Sequence, residues 1–138
     1  MGREWELREE AGAKILSLNR ELDAEGLSSL EEALTPLMTT PRSRVIIDLA
    51  ACPQVTSEVL RLFLVAARRL ETQGGGFALA APNPDVQRFL ELSGVARLCR
   101  VLPSVAEALA AVKGDDRVEL LAQAVLALLA RAEAREGV

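Results

Sequence analysis

The feature that most constrains this chain is the order of its apolar runs from residue 43 onward. Val45-Ile46-Ile47-Asp48-Leu49 is short and β-branched, the pattern of a strand buried on both faces. Val59, Leu60, Phe63, Ala66, Ala67 and Leu70 then recur at helical spacing, with Glu58, Arg61, Arg68, Arg69 and Thr72 on the opposite side. Gln73-Gly74-Gly75-Gly76 ends that helix, where a glycine takes the left-handed cap. "FALAA" is the next buried strand. "DVQRFLELSG", opened by Pro82-Asn83-Pro84 and capped by Gly94, is the next helix. "LCRVL" is a short last strand, and "VAEALAAV" a helix that stops at Gly114. Strand, helix, strand, helix, strand, helix implies parallel strands joined by right-handed helical crossovers.

Upstream, "WELREE" and "AKILSLN" are two short runs separated by Ala11-Gly12, which predicts a hairpin. Between hairpin and first buried strand, Leu27, Leu30, Ala33, Leu34 and Leu37 mark an amphipathic helix. The expected fold is α/β: a mostly parallel sheet of four to five strands, helices largely on one face, and an extra C-terminal helix. Residues 1–113 form the domain and residues 114–138 the extension.

That extension, "DDRVELLAQAVLALLARAEAREG", has only Gln123 as a polar residue between Leu120 and Ala130. A helix apolar nearly all round needs cover on more than one side. Val118, Leu121, Val125, Leu128 and Ala132 form one stripe, while Leu120, Ala124, Ala127 and Leu129 cover much of the rest. Leaving these side chains in water would expose a patch that monomers rarely tolerate. The expectation is a homodimer or partner-binding helix in which Leu121, Val125, Leu128 and Leu129 take part; the alternative is a helix absorbed in its own domain.

Composition narrows function by exclusion. The 138 residues include no histidine and no tyrosine, which removes Ser-His and Cys-His nucleophile pairs and the commonest metal ligand. The triple glycine leaves a helix and enters a strand, the reverse of a phosphate-binding loop. Cys52 and Cys99 lack metal-ligand spacing, and as neighbours of parallel strands they fall at opposite ends of the sheet, as two inert thiols. Sixteen basic and twenty acidic residues, with no Lys/Arg block, argue against nucleic acid as the main partner. The polar start "MGREWELREE" gives no secretory signal, and the Leu120–Ala130 run is too short to cross a bilayer. The expectation is a non-enzymatic cytoplasmic protein with no cofactor, no metal and no membrane insertion.

Several strings point one way. They are Arg20-Glu21-Leu22-Asp23 before the first helix, Val45-Ile46-Ile47-Asp48-Leu49, and the Gly74-Gly75 turn. Most specific is Arg88-Phe89-Leu90-Glu91-Leu92-Ser93-Gly94-Val95, and Val101 to Val112 reads "VLPSVAEALAAV". Over roughly residues 4 to 112 the chain resembles the STAS domain of bacterial anti-sigma factor antagonists. The resemblance implies a protein-binding module of sigma factor and transcription regulation, whose partner is an anti-sigma factor or a related kinase-like regulatory protein. It also allows a soluble subunit of an ABC-type lipid transporter or a scaffold component.

The family carries "D-S-(S/T)-G-(L/I)-G" at the loop before the second helix, and its first serine is the phosphoacceptor. Without a gap from Asp48 to Gly94, that serine falls on Ser57. Thr56 then replaces the aspartate, Glu58 the second serine, Val59 the first glycine and Arg61 the second. The expected switch-loop or partner-binding residues are Gln54, Thr56, Ser57, Glu58 and Arg61, with Ser57 the candidate phosphoacceptor. Thr56-Ser57 also suits a plain helix cap, and Glu58 would set a charge beside any phosphate on Ser57. The loop therefore reads as degenerate.

Overall fold

The computed structural model describes residues 4–112 and 124–132. Strands β1 (Trp5–Glu10) and β2 (Ala13–Leu18) form the expected hairpin. Ala11 and Gly12 link them with φ of 52° and 80°. Two left-handed residues are what a two-residue turn needs to match strand twist; glycine supplies this freely and Ala11 under strain.

The chain continues through α1 (Ala24–Thr39), β3 (Arg44–Asp48), α2 (Ser57–Thr72) and β4 (Gly76–Ala80). Then come α3 (Pro84–Leu92), α4 (Val95–Leu98), β5 (Arg100–Leu102) and α5 (Val105–Val112). The five strands lie in the sheet in chain order. β1 runs antiparallel to β2, and β2 to β5 are mutually parallel. The fold is thus the predicted mostly parallel sheet.

The strands split their side chains between two apolar layers. Leu16, Leu18, Val45, Ile47, Phe77 and Leu79 face α1 to α4, where Leu30, Leu34, Phe63, Leu70, Val86, Leu90 and Val95 close the main core. The Phe63 and Phe77 rings meet tilted by 46° with centroids 6.1 Å apart, within the favoured range for aromatic pairs. Ala13, Ile15, Ile46, Ala78 and Ala80 face the other way, where α5 covers them with Ala108 and Val112. Among the described residues α5 is alone on its face, and the small side chains of β4 let it come close.

The periodicity of α2 translates directly: Val59, Leu60, Phe63, Ala66, Ala67 and Leu70 are buried, while Glu58, Arg61, Arg68, Arg69 and Thr72 are exposed. Each large side chain so buried stabilises the fold by roughly 1.5–3 kcal/mol. Gly74 makes the left-handed exit at φ 78°. Gly75 answers a different demand, since a Cβ there would come within 1.9 Å of the Ser43 carbonyl oxygen.

The last strand is shorter than its apolar run suggested. Leu98 ends α4 and Cys99 caps it, so that pairing begins only at Arg100. Gly94, at φ 85°, lets the chain reverse after α3 and wind one further helical turn. That turn places Val95 and Cys99 in the main core. Cys52 follows the C-terminal end of β3 and Cys99 precedes the N-terminal end of β5, both free and buried, at opposite ends of the parallel strands as expected. Burial pushes both thiols up, Cys99 to about 11.

Residues 124–132 are helical, and every one of them is exposed. Val118 and Leu121, and the expected boundary between residues 113 and 114, lie outside the described residues.

Candidate functional site at the carboxyl end of the sheet

In an open parallel sheet, the loops beyond the carboxyl ends of the strands converge on one edge, and ligands and partners are met there. Here β3 and β4 are neighbours, so the loop from β3 to α2 lies beside the loop from β4 to α3. The first loop leaves β3 with the Leu49 amide donating to the Ala80 carbonyl at 2.8 Å and the Ala50 amide donating to Asp48 Oδ1 at 3.0 Å. Cys52 anchors its middle: the thiol is 1 % exposed and donates to the Gln54 carbonyl at 3.1 Å. Burial is the main reason its pKa is raised, and this makes it a neutral packing group.

Asn83 ties the two loops together. Its Oδ1 accepts from the Val86 amide at 2.7 Å, capping α3. Its Nδ2 donates to the Pro53 carbonyl at 3.2 Å and, more weakly, to Cys52 at 3.5 Å. One amide side chain thus uses both ends, one on a helix start and one on the partner loop. Sequence reasoning placed Asn83 only at a helix opening. The usable signal was the alternation itself, which sets these two loops side by side.

Thr56, not Ser57, is the cap of α2: its backbone is extended and its Oγ1 accepts from the Val59 amide at 3.3 Å. Ser57 is the first helical residue and is exposed. Among the described residues no group pairs with its hydroxyl, so the cap leaves this hydroxyl at the surface.

The remaining expected site residues fall on two sides of this helix start. Gln54 lines an open cleft of about 360 Å³ with Pro53, Val55, Asp85, Val86 and Phe89. Glu58 and Arg61 line a groove of about 310 Å³ between α1 and α2, floored by Leu27, Met38, Leu62 and Val65. Phe89, in the first of these hollows, is 39 % exposed. The edge therefore offers apolar contact beside polar loop groups. Val59 is 1 % exposed and points into the core. Of the two positions where glycine is replaced, only Arg61 stands at the surface.

Among the described residues no three His, Cys, Asp or Glu side chains come together as a metal site, and no helix is long and apolar enough to cross a membrane.

Comparison with known proteins agrees with this geometry. A curated relative from Thermotoga neapolitana, designated an anti-sigma factor antagonist, is 25 % identical over 101 residues, covering 72 % of this chain and 89 % of its own. The crystal structure of an anti-sigma factor antagonist from Thermotoga maritima superposes with a TM-score of 0.71 at 21 % identity, covering 80 % of this chain and 95 % of that one. The unphosphorylated anti-sigma factor antagonist SpoIIAA shares the fold with a TM-score of 0.65 at 21 % identity, over 83 % and 96 % of the two chains. The STAS domain model matches residues 4–108, which take in the whole sheet, both joined loops and the start of α5, and the chain belongs to that family.

Proposed function

We propose that this STAS domain is a non-enzymatic regulatory module of the anti-sigma factor antagonist type. It docks a kinase-like anti-sigma factor, or a related regulatory protein, at the carboxyl edge of its sheet. The observation that carries this reading is the exposed start of α2, with Ser57 and Glu58 at the surface between two hollows and Asn83 fixing the loop before it. The relatives designated anti-sigma factor antagonists support it. A preset loop loses less conformational freedom on binding, which favours docking by a surface already in place.

We read the loop as degenerate for phosphorylation. Ser57 has the exposure a phosphoacceptor needs, and a helix start favours an added phosphate. Glu58, however, places a carboxylate next to it, and Arg61 fills a position where the family leaves room for a partner's backbone. The module accordingly works as a binder whose state is set by its partner rather than by phosphate.

Affinity capture from the source cell with the full chain tests this. Recovery of a kinase-like anti-sigma factor, lost on Arg61→Glu, supports it; recovery of a transporter ATPase instead overturns it. Incubating the captured partner with ATP and the full chain, followed by mass spectrometry, checks the loop. Stoichiometric phosphate on Ser57 that vanishes in Ser57→Ala would refute the degenerate-loop reading and leave the docking reading standing.

A further inference from the structure

The helix at 124–132 is apolar on most of its circumference and lies wholly in solvent. Val125 is 53 %, Leu126 55 %, Leu128 63 % and Leu129 56 % exposed. The domain does not offer it a matching bed beside α5. On that face of the sheet α5 covers β3, β4 and β5. The part over β1 and β2 carries Glu6, Arg8, Glu10 and Ser17, whose register partners Ala13 and Ile15 fix which way they point. Arg8 donates to Ser17 at 2.9 Å and lies within 3.9 Å of Asp48 and 3.7 Å of Glu10. An apolar helix laid there would strip these charges of water without pairing them, which is costly.

The spacing within the helix names a better cover. Val125, Leu128 and Ala132 follow one another at intervals of three and four, the a and d positions of a heptad, and the sequence continues the series backward to Leu121 and Val118. Valine at a with leucine at d is the choice that favours a two-stranded parallel pair. The series ends at Ala132, because the next d position is Arg135. Leu129, at e, flanks the seam and is shielded with it, whereas Leu126, at b, stays outside.

We propose that the C-terminal helix pairs in parallel with the same helix of a second copy, making the protein a two-fold homodimer whose two sheet edges remain free. A self-complementary patch closes by two-fold symmetry and stops at two copies. The inference does not depend on which partner the STAS domain docks.

Light scattering on the full chain reads it directly. The expected mass is twice the 14.8 kDa of one chain. The double variant Val125→Glu/Leu128→Glu is expected to halve that mass with an unchanged melting temperature of the domain, and Leu126→Glu to leave it doubled. Orientation is read by single cysteines under mild oxidation, since Cys52 and Cys99 are buried. Ala132→Cys is expected to cross-link to dimer and Ala130→Cys, on the back of the helix, to stay monomeric on a denaturing gel. A monomeric full-length chain, a dimer that survives the double variant, or equal cross-linking at 130 and 132 would each overturn the proposal.

Discussion

Asn83 is the residue whose removal separates helix capping from loop anchoring. In Asn83→Ala the Val86 amide loses its cap acceptor, a loss of about 1 kcal/mol. The carbonyls of Pro53 and Cys52 lose their donor, which adds about 0.5 kcal/mol because the loop is partly open to water. The sum of about 1.5 kcal/mol corresponds to a fall of about 6 °C in melting temperature for a domain of this size. Asn83→Asp divides the two effects. Aspartate caps as well as asparagine and suits the positive helix start, but it has no donor for Pro53. The expected order of stability is parent, then Asn83→Asp, then Asn83→Ala, read by urea or thermal denaturation. Hydrogen exchange should show the loop at 52–55 opening faster in both variants, while the start of α3 loosens only in Asn83→Ala. If Asn83→Ala melted within a degree of the parent, or if Asn83→Asp fell as far as Asn83→Ala, the assignment of the two roles would be wrong.

Three further outcomes follow from the structure. Gly75→Ala, whose Cβ would press on the backbone of Ser43 at 1.9 Å, should cost more than about 2 kcal/mol in urea denaturation. Gly74→Ala, where the added Cβ would only touch Arg42 Cγ at an ordinary 3.8 Å and φ 78° is what opposes it, should cost about 1 kcal/mol. Burial raises the Cys99 thiol from its ordinary 9.0 to about 11, so the folded state holds its proton where the unfolded state has begun to release it. Stability should therefore be unaffected by this group below pH 9 and fall between pH 9 and 11, and a Cys99→Ala variant should lose that part of the slope in denaturation curves taken across this window.

The topology was legible because each of its elements is specified locally. A strand buried on both faces must be apolar throughout, as Val45 to Ile47 are, and a helix on a sheet must show one apolar stripe, as Val59 to Leu70 do. Once strands and helices alternate, handedness and chain order leave few arrangements, and the sheet order from β1 to β5 is the simplest of them. The hairpin turn and the glycine exits at 74 and 94 were readable for the same reason, since their backbone angles are demands on single residues.

The site was legible only as a place. Sequence spacing brought Thr56, Ser57, Glu58 and Arg61 to one helix start, but the register of that start decides which residue caps and which is free. Backbone geometry gave the cap to Thr56, left the Ser57 hydroxyl in solvent and turned Val59 into the core. The short helix before β5 was not legible either: it takes Leu98 and its cap Cys99 out of the apolar run read as a strand, and it buries Val95 and Cys99 in the core. Asn83 reaches Pro53 across 30 residues of chain. No local pattern encodes that bond, because it exists only once two parallel strands have become neighbours and their outgoing loops meet.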